Sequence, residues 1–316
     1  LLAQQPGTIK VPVRLVSVPT LVVSPDGKYI PGLTADKFRL TDNGRPRNFT
    51  LDTEDVPVSA AVVVQVDQDV REFLPFLSKV GALLDNSLAA ASGEDALITY
   101  NDEIVVAKPF GKGEMQTAME KLKPAGHDAH MIDAGLRAVD LLKERSGRGS
   151  RVLLFIGEPK ENGSFGKIDE LAAQAERENV QVYVLALPLL GKSFVSDSFH
   201  LEGLGSQWWK GGYRASMDLT RAVPALRRAS QASAGTDPFS FLAVATGGLQ
   251  LHFRKQKQLE DAIIAMGDAL RSRYFLSFTP YAVDDSFHTI SVQVDVPGTT
   301  VYARPGYRTQ NEKALP

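Results

Sequence analysis

Apolar and polar positions alternate with period two near the start of the chain, where Ile9, Val11, Val13 and Leu15 are separated by Lys10, Pro12 and Arg14. That alternation predicts a half-buried strand. Ser24-Pro25-Asp26-Gly27 follows as turn chemistry, since proline presets the bend and glycine accepts positive φ. Phe38-Arg39-Leu40-Thr41, the turn Asp42-Asn43-Gly44 and then Asn48-Phe49-Thr50-Leu51 predict a hairpin. At residue 58 the pattern changes. Ala60-Ala61-Val62-Val63-Val64-Gln65-Val66 is a nearly unbroken apolar run, as in a strand covered by helices on both faces. Val70, Phe73, Leu77, Val80 and Leu84 then repeat at three- and four-residue spacing, which predicts a helix.

Two short strands, 95–100 and 103–110, flank the turn Asn101-Asp102. A short helix is expected over 114–122, and a second carries Ile132, Leu136, Val139 and Leu142. Buried strands at 151–156 and 180–187 bracket a helix at 168–179, so strands and helices alternate and a parallel sheet between helices is expected. From 188 to 238 the regularity lapses into an insertion too long for an ordinary loop. Beyond it a helix ends at Thr246-Gly247-Gly248, a strand spans 249–253, and Leu259, Ile263, Met266 and Leu270 mark a closing helix. Alternating strands return at 274–280, 288–296 and 300–303, with a turn at Pro297-Gly298. The division expected is an N-terminal β segment, 8–55, that pairs with a C-terminal β segment, 273–308, around an α/β domain at 56–272.

Composition narrows the function classes. With 43% hydrophobic and 23% charged residues among 316, the chain has the makings of a real core. Lys+Arg and Asp+Glu, 35 against 37, nearly cancel, giving no global electrostatic reason for a nucleic-acid partner. The absence of cysteine excludes disulfides, thiolate metal sites and cysteine nucleophiles. No apolar run approaches the roughly 18 residues of a membrane span, so no membrane insertion is expected. Leu1-Leu2-Ala3-Gln4 resembles the end of an export signal.

Asp67 and Asp69 stand at the carboxyl end of the first central strand, where open α/β sheets place ligand sites. Further segments are Pro31-Gly32-Leu33-Thr34-Ala35-Asp36-Lys37-Phe38 before Asp42-Asn43-Gly44, and Ala245-Thr246-Gly247-Gly248. Near the end come Arg273-Tyr274-Phe275-Leu276-Ser277-Phe278-Thr279-Pro280 and Arg304-Pro305-Gly306-Tyr307. In this order the segments resemble the von Willebrand factor A-type (VWA) domain, and specifically the bacterial "acidobacterial VWFA-related" family, over nearly the whole chain. The resemblance implies a doubly wound, mostly parallel central sheet flanked by helices, plus a β-sandwich-like appendage formed by N- and C-terminal strands. It also implies an extracytoplasmic setting, periplasmic or secreted, and a metal-ion-dependent adhesion site.

Such a site draws its ligands from Asp-x-Ser-x-Ser, a Thr on a later loop and an Asp after the fourth strand. Oxygen ligands of this kind suit Mg²⁺, Mn²⁺ or Ca²⁺. Here Asp67 matches, Asp69 and Arg71 replace the two serines, Asp128 or Ala129 falls where the Thr would be, and Glu158 replaces the last Asp. Asp67, Asp69, Asp128 and Glu158 are therefore the candidate metal ligands, with Arg71 expected to pair with the carboxylates and take over the ion's role. No bound cofactor is expected on that reading. His127 and His130 lack the helical spacing and glutamate of a His-Glu-x-x-His zinc site. No Gly-x-Ser-x-Gly nucleophile elbow is present. Trp208 and Trp209 in the insertion have the character of a partner anchor or of a cap on the domain's own core.

The expectation is a non-enzymatic module that docks an unidentified protein partner on the upper rim, with Arg71, His127, His130, Trp208 and Trp209 as contact residues. The alternative is a divalent-metal-dependent adhesion module binding an acidic group, and more remotely a metal-dependent hydrolase.

Overall fold

The computed structural model describes residues 15–52, 57–89, 93–145, 149–187, 237–253, 256–281, 284 and 286–308. Strands β1 (Val16–Val23), β2 (Phe38–Asp42), β3 (Arg45–Arg47) and β4 (Thr50–Asp52) precede the central strand β5 (Val58–Gln65). A 3₁₀ turn, Gln68–Val70, leads into the short helices α1 (Leu74–Leu77) and α2 (Gly81–Leu84) and a π turn, Asp85–Ala89. Next come β6 (Glu94–Tyr100), β7 (Ile104–Gly111), α3 (Met115–Glu120), α4 (Met131–Lys143), β8 (Ser150–Gly157), α5 (Ile168–Arg177) and β9 (Val180–Ala186). The remainder is α6 (Pro238–Thr246), β10 (Gln250–His252), α7 (Gln256–Arg271), β11 (Tyr274–Phe278), β12 (Phe287–Val294), β13 (Thr300–Ala303) and β14 (Gly306–Arg308).

Six strands form the central sheet in the order β10-β9-β8-β5-β6-β7, parallel except for the edge hairpin strand β7. Side chains along β5 point alternately to its two faces. Ala60, Val62 and Val64 pack with Phe73, Leu77, Leu84, Ile263 and Met266 on one side. Ala61 and Val63 pack with Val139, Leu142, Leu171 and Phe241 on the other. Both alternating sets are thus withdrawn from water, which is why the β5 sequence is apolar without a break. This is the doubly wound α/β arrangement.

Two four-stranded sheets, β13-β1-β11-β4 and β14-β12-β2-β3, make up the appendage. Their facing sides share a core that includes Val18, Leu40, Leu276, Phe278, Ile290 and Tyr307. Strands from opposite ends of the chain pair directly, Val18 opposite Leu276 and Leu40 opposite Val292. Buried Asp42 accepts from the Tyr307 hydroxyl at 3.0 Å and lies 3.2 Å from His288 Nδ1, so its charge is not left unmatched in that core.

Several local expectations change. The predicted strand at 9–15 falls almost entirely outside the described residues, and β1 runs instead over Val16–Val23, buried at seven of eight positions. The second arm of the predicted hairpin is Arg45–Arg47, reached through Asn43 and Gly44 at φ of 50° and 76°. Thr50–Asp52 pairs with β11 in the other sheet. The stripe from Val70 to Leu84 is buried as predicted but broken into short pieces, with Pro75 in the first turn of α1 and Gly81 opening α2. A Cβ at Gly81 would run into the Gln116 backbone, so packing against α3 fixes a glycine where an uninterrupted helix would favour another residue. β14 had no signal in the sequence. The insertion and its Trp208 and Trp209 lie outside the described residues.

Lys108 is buried in the base of the sheet, donating to Asp95 Oδ1 at 2.6 Å, the Asp95 carbonyl at 2.7 Å and the Gly111 carbonyl at 3.1 Å. Burial pushes the Asp95 carboxyl up to about 6; Lys108 opposes the rise and Asp85 adds to it. The folded state therefore holds more protons than the unfolded state between about pH 4 and pH 6, and stability falls as pH rises through that window. Asp85→Asn replaces a like charge by a donor. It is expected to lower the Asp95 pKa, to raise stability at pH 7 by about 1 kcal/mol, and to flatten the pH dependence. Thermal melts at pH 4, 5, 6 and 7 check this, and an unchanged slope counts against it. Separately, a Cβ at Gly248 would fall on the Val182 carbonyl oxygen of β9. Gly248→Ala is expected to cost about 1–3 kcal/mol and to lower Tm in calorimetry by at least about 3 °C.

Candidate functional site

Four connections meet at the carboxyl end of the parallel sheet, and backbone hydrogen bonds lace them together. Val66 N–H donates to the Tyr100 carbonyl at 2.9 Å, Ala125 N–H to the Val66 carbonyl at 2.8 Å, and Gln68 N–H to the Gly126 carbonyl at 3.2 Å. Ala129 and Asn162 form an isolated antiparallel bridge between the third and fourth connections.

Asp67 is fully buried at the centre of this rim. Its Oδ1 accepts from Asp69 N–H at 3.1 Å and Val70 N–H at 3.3 Å, capping the 3₁₀ turn. Its Oδ2 accepts from Gln65 Nε2 at 2.9 Å, and Gln65 Oε1 in turn accepts from Glu158 N–H at 2.7 Å. One side chain on β5 therefore fixes the start of the β8 loop. Burial raises the Asp67 pKa against the pull of Gln65 and Lys160.

The cation beside these carboxylates is Lys160. Its Nζ is 2.6 Å from Asp69 Oδ2 and 4.0 Å from Asp67 Oδ2. Burial works against this ammonium, but the hydrogen bond to Asp69 and the charges of Asp69, Asp67 and Glu158 outweigh it and hold its pKa above the usual lysine value. Arg71, which the sequence put forward for this role, is exposed at the end of the 3₁₀ turn. The reason is local: the turn closes with Arg71 in helical conformation, donating its N–H to the Gln68 carbonyl. Lys160 reaches in from the opposite loop.

Asp128 is exposed and accepts from Asn162 Nδ2. Asp102 Oδ1 accepts from His127 N–H at 3.0 Å and Asp128 N–H at 2.6 Å, which holds its carboxyl below the usual carboxylate range. Glu158 is buried beside Gln65. His127 is exposed, while His130 opens α4 with its ring against Gly163. Glu161 and Ser164 accept from Ile132 N–H and Asp133 N–H, satisfying the first turn of α4. Asp133 accepts from Phe165 N–H and Gly166 N–H, and this holds the loop that carries Phe165, 96% exposed. The Tyr100 hydroxyl lies against Gly157 below the rim, fully buried and without a hydrogen-bond partner among the described residues.

The rim carboxylates already have partners within the chain. Asp67 spends its oxygens on three N–H groups, Asp69 is taken by an ammonium, and Asp128 is turned to Asn162. Among the described residues no three His, Asp or Glu side chains are grouped to hold a metal. A hard cation needs several oxygens converging with lone pairs free.

The sequence put forward Asp67, Asp69, Asp128 and Glu158; the structure adds Gln65, Tyr100, Asp102, Lys160 and Phe165 around them, which the sequence did not mark. Lys160 stands two residues after Glu158 in the same loop, so its charge is a usable signal. Nothing in the local pattern marked Gln65, which reads as one more position of a buried strand.

No family model matches the chain, and no curated protein does. Among solved structures it is similar to a von Willebrand factor type A protein from Catenulispora acidiphila, at 6% identity and a TM-score of 0.48, covering 96% of this chain and 76% of that one. It is also similar to BatB from Bacteroides thetaiotaomicron, at 13% identity and a TM-score of 0.43, covering 67% and 98%. A third is the SpRpn10 VWA domain, at 14% identity and a TM-score of 0.36, covering 43% and 78%. With its strand order, its helices on both faces and Asp67 at the carboxyl end of the central strand, the chain has a doubly wound, mostly parallel α/β fold carrying a β-sandwich appendage.

Proposed function

We propose that the chain is a non-enzymatic interaction module that docks a protein partner on the rim at the carboxyl end of its central sheet, without a divalent ion. The observation that carries this reading is Lys160, whose ammonium lies 2.6 Å from Asp69 and 4.0 Å from Asp67 on loops fixed to one another by hydrogen bonds. A surface held in one shape loses little conformational entropy on binding, which favours recognition. The Lys160 ammonium also competes for carboxylates that metal-dependent adhesion or two-metal hydrolysis would require. The proposal places the module outside the cytoplasm, as the resemblance implies. No helix among the described residues is long and apolar enough to cross a membrane.

Calorimetric titration of EDTA-treated protein with Mg²⁺, Mn²⁺ and Ca²⁺ is expected to show no binding at sub-millimolar concentration. Sub-millimolar binding that Asp67→Ala abolishes would defeat the metal-free reading. In parallel, p-nitrophenyl ester and phosphate substrates are expected to turn over no faster than with the Asp67→Ala variant.

A further inference from the structure

The charge left on the rim once Lys160 is counted has its own consequence. The segments 66–72, 101–103, 123–130 and 157–162 carry eight carboxylates but only three lysines and arginines, Arg71, Lys123 and Lys160. The chain as a whole is nearly neutral, at −2. The excess is therefore concentrated at one end of the sheet. Hydrogen bonds from backbone N–H groups, such as those to Asp67 and Asp102, stabilise the carboxylates in place without cancelling their charge. Asp69 and Asp128 are both exposed, one on the 3₁₀ turn and the other on the loop before α4.

Two further observations describe the surroundings a partner would meet in such a place. It already holds an ammonium: Lys160 reaches across from the β8 loop, its side chain only 28% exposed, to bridge towards Asp67 and Asp69. Below it the Tyr100 hydroxyl is fully buried with no hydrogen-bond partner among the described residues, under the charges of Asp67, Glu161 and Glu158. An acidic group arriving here would meet a surplus of like charge, whereas a guanidinium or ammonium would meet a potential of opposite sign.

We propose that the rim recognises a basic segment of a partner protein, with Asp69 and Asp128 receiving its lysine or arginine side chains and Lys160 acting as the intramolecular competitor for the same carboxylates. The partner charge is thus opposite to that expected where a divalent ion completes the site. This inference rests on the rim-docking reading and adds the chemistry of the partner.

The test uses two fluorescein-labelled dodecapeptides, one rich in arginine and one rich in glutamate, titrated against the full chain in EDTA at low and physiological salt and followed by anisotropy. The basic peptide is expected to bind and the acidic one to stay free. Asp69→Asn with Asp128→Asn is expected to weaken binding at least tenfold, and Lys160→Met to tighten it several-fold. Neutralising two exposed carboxylates on the appendage, Asp26→Asn with Asp36→Asn, is expected to change it less than twofold. Circular dichroism melts confirm that each variant is folded. Failure of both peptides to bind overturns the inference, as does equal sensitivity to the rim and appendage variants. Binding of the acidic peptide in EDTA, lost in Lys160→Met, overturns the assigned polarity while leaving rim docking intact. Binding only with added Mn²⁺ removes both readings.

Discussion

A carboxylate taken out of water must find donors, and the donors that Asp67 finds set the geometry of everything around it. Two come from the backbone of the turn it begins and one from Gln65, two residues earlier on β5. Because the other end of the Gln65 amide accepts from Glu158 N–H, satisfying one buried charge also joins the β5 connection to the β8 connection. The desolvation cost of Asp67 is offset only in this assembled state, so rim shape and core burial are one requirement. Gly157 belongs to the same constraint. A Cβ there would collide with the Gln65 amide and the Tyr100 hydroxyl, so the strand must end in glycine for the relay to pass.

How far the sequence could be read depended on how local the cause was. The central strands were legible because each is long, apolar and bounded by helical spacing, and β5, β6, β8 and β9 fall within about two residues of their expected limits. The stripe from Val70 to Leu84 was legible as buried but not as broken, because Gly81 is fixed by the approach of Gln116 and not by its own neighbours in sequence. Arg45–Arg47 was passed over as a strand because three polar or cyclic residues lack alternation, and register with β2 alone assigns it. At the rim, residue types were visible and pairings were not. Arg71 and Lys160 are equivalent as charges in the sequence; only the turn closing at Arg71 and the reach of the β8 loop decide between them.

The rim and the appendage are built on different logic. In the α/β module, polar groups gather at the two ends of the sheet, the rim at one and the Asp95–Lys108 pair at the other, with apolar layers between them. The appendage places a buried carboxylate, Asp42, between its two sheets beside His288, Tyr307 and Arg47, with the Arg47 guanidinium also over the Tyr281 ring. Where the two bodies meet, Arg304 is buried, donating to Asn179 at 2.9 Å, with its pKa brought down to about 10 by burial. Arg308 lies 3.5 Å from Glu176, near the end of α5. Buried charge of this kind fixes how surfaces fit more than it adds to stability.

The appendage also imposes an order of events on the growing chain. β1 pairs with β11 and β13, and β2 pairs with β12, so neither of its sheets can close until more than two hundred further residues have been made. The α/β module has all its strands in the interval between and can fold on contacts of shorter range. Until β11, β12 and β13 have been made, β1 waits unpaired and β2 has only the short β3 beside it, which leaves apolar edges of the kind on which nascent chains associate wrongly. For this architecture, the period of greatest hazard is therefore set by how far β11, β12 and β13 lie behind β1 and β2 along the message.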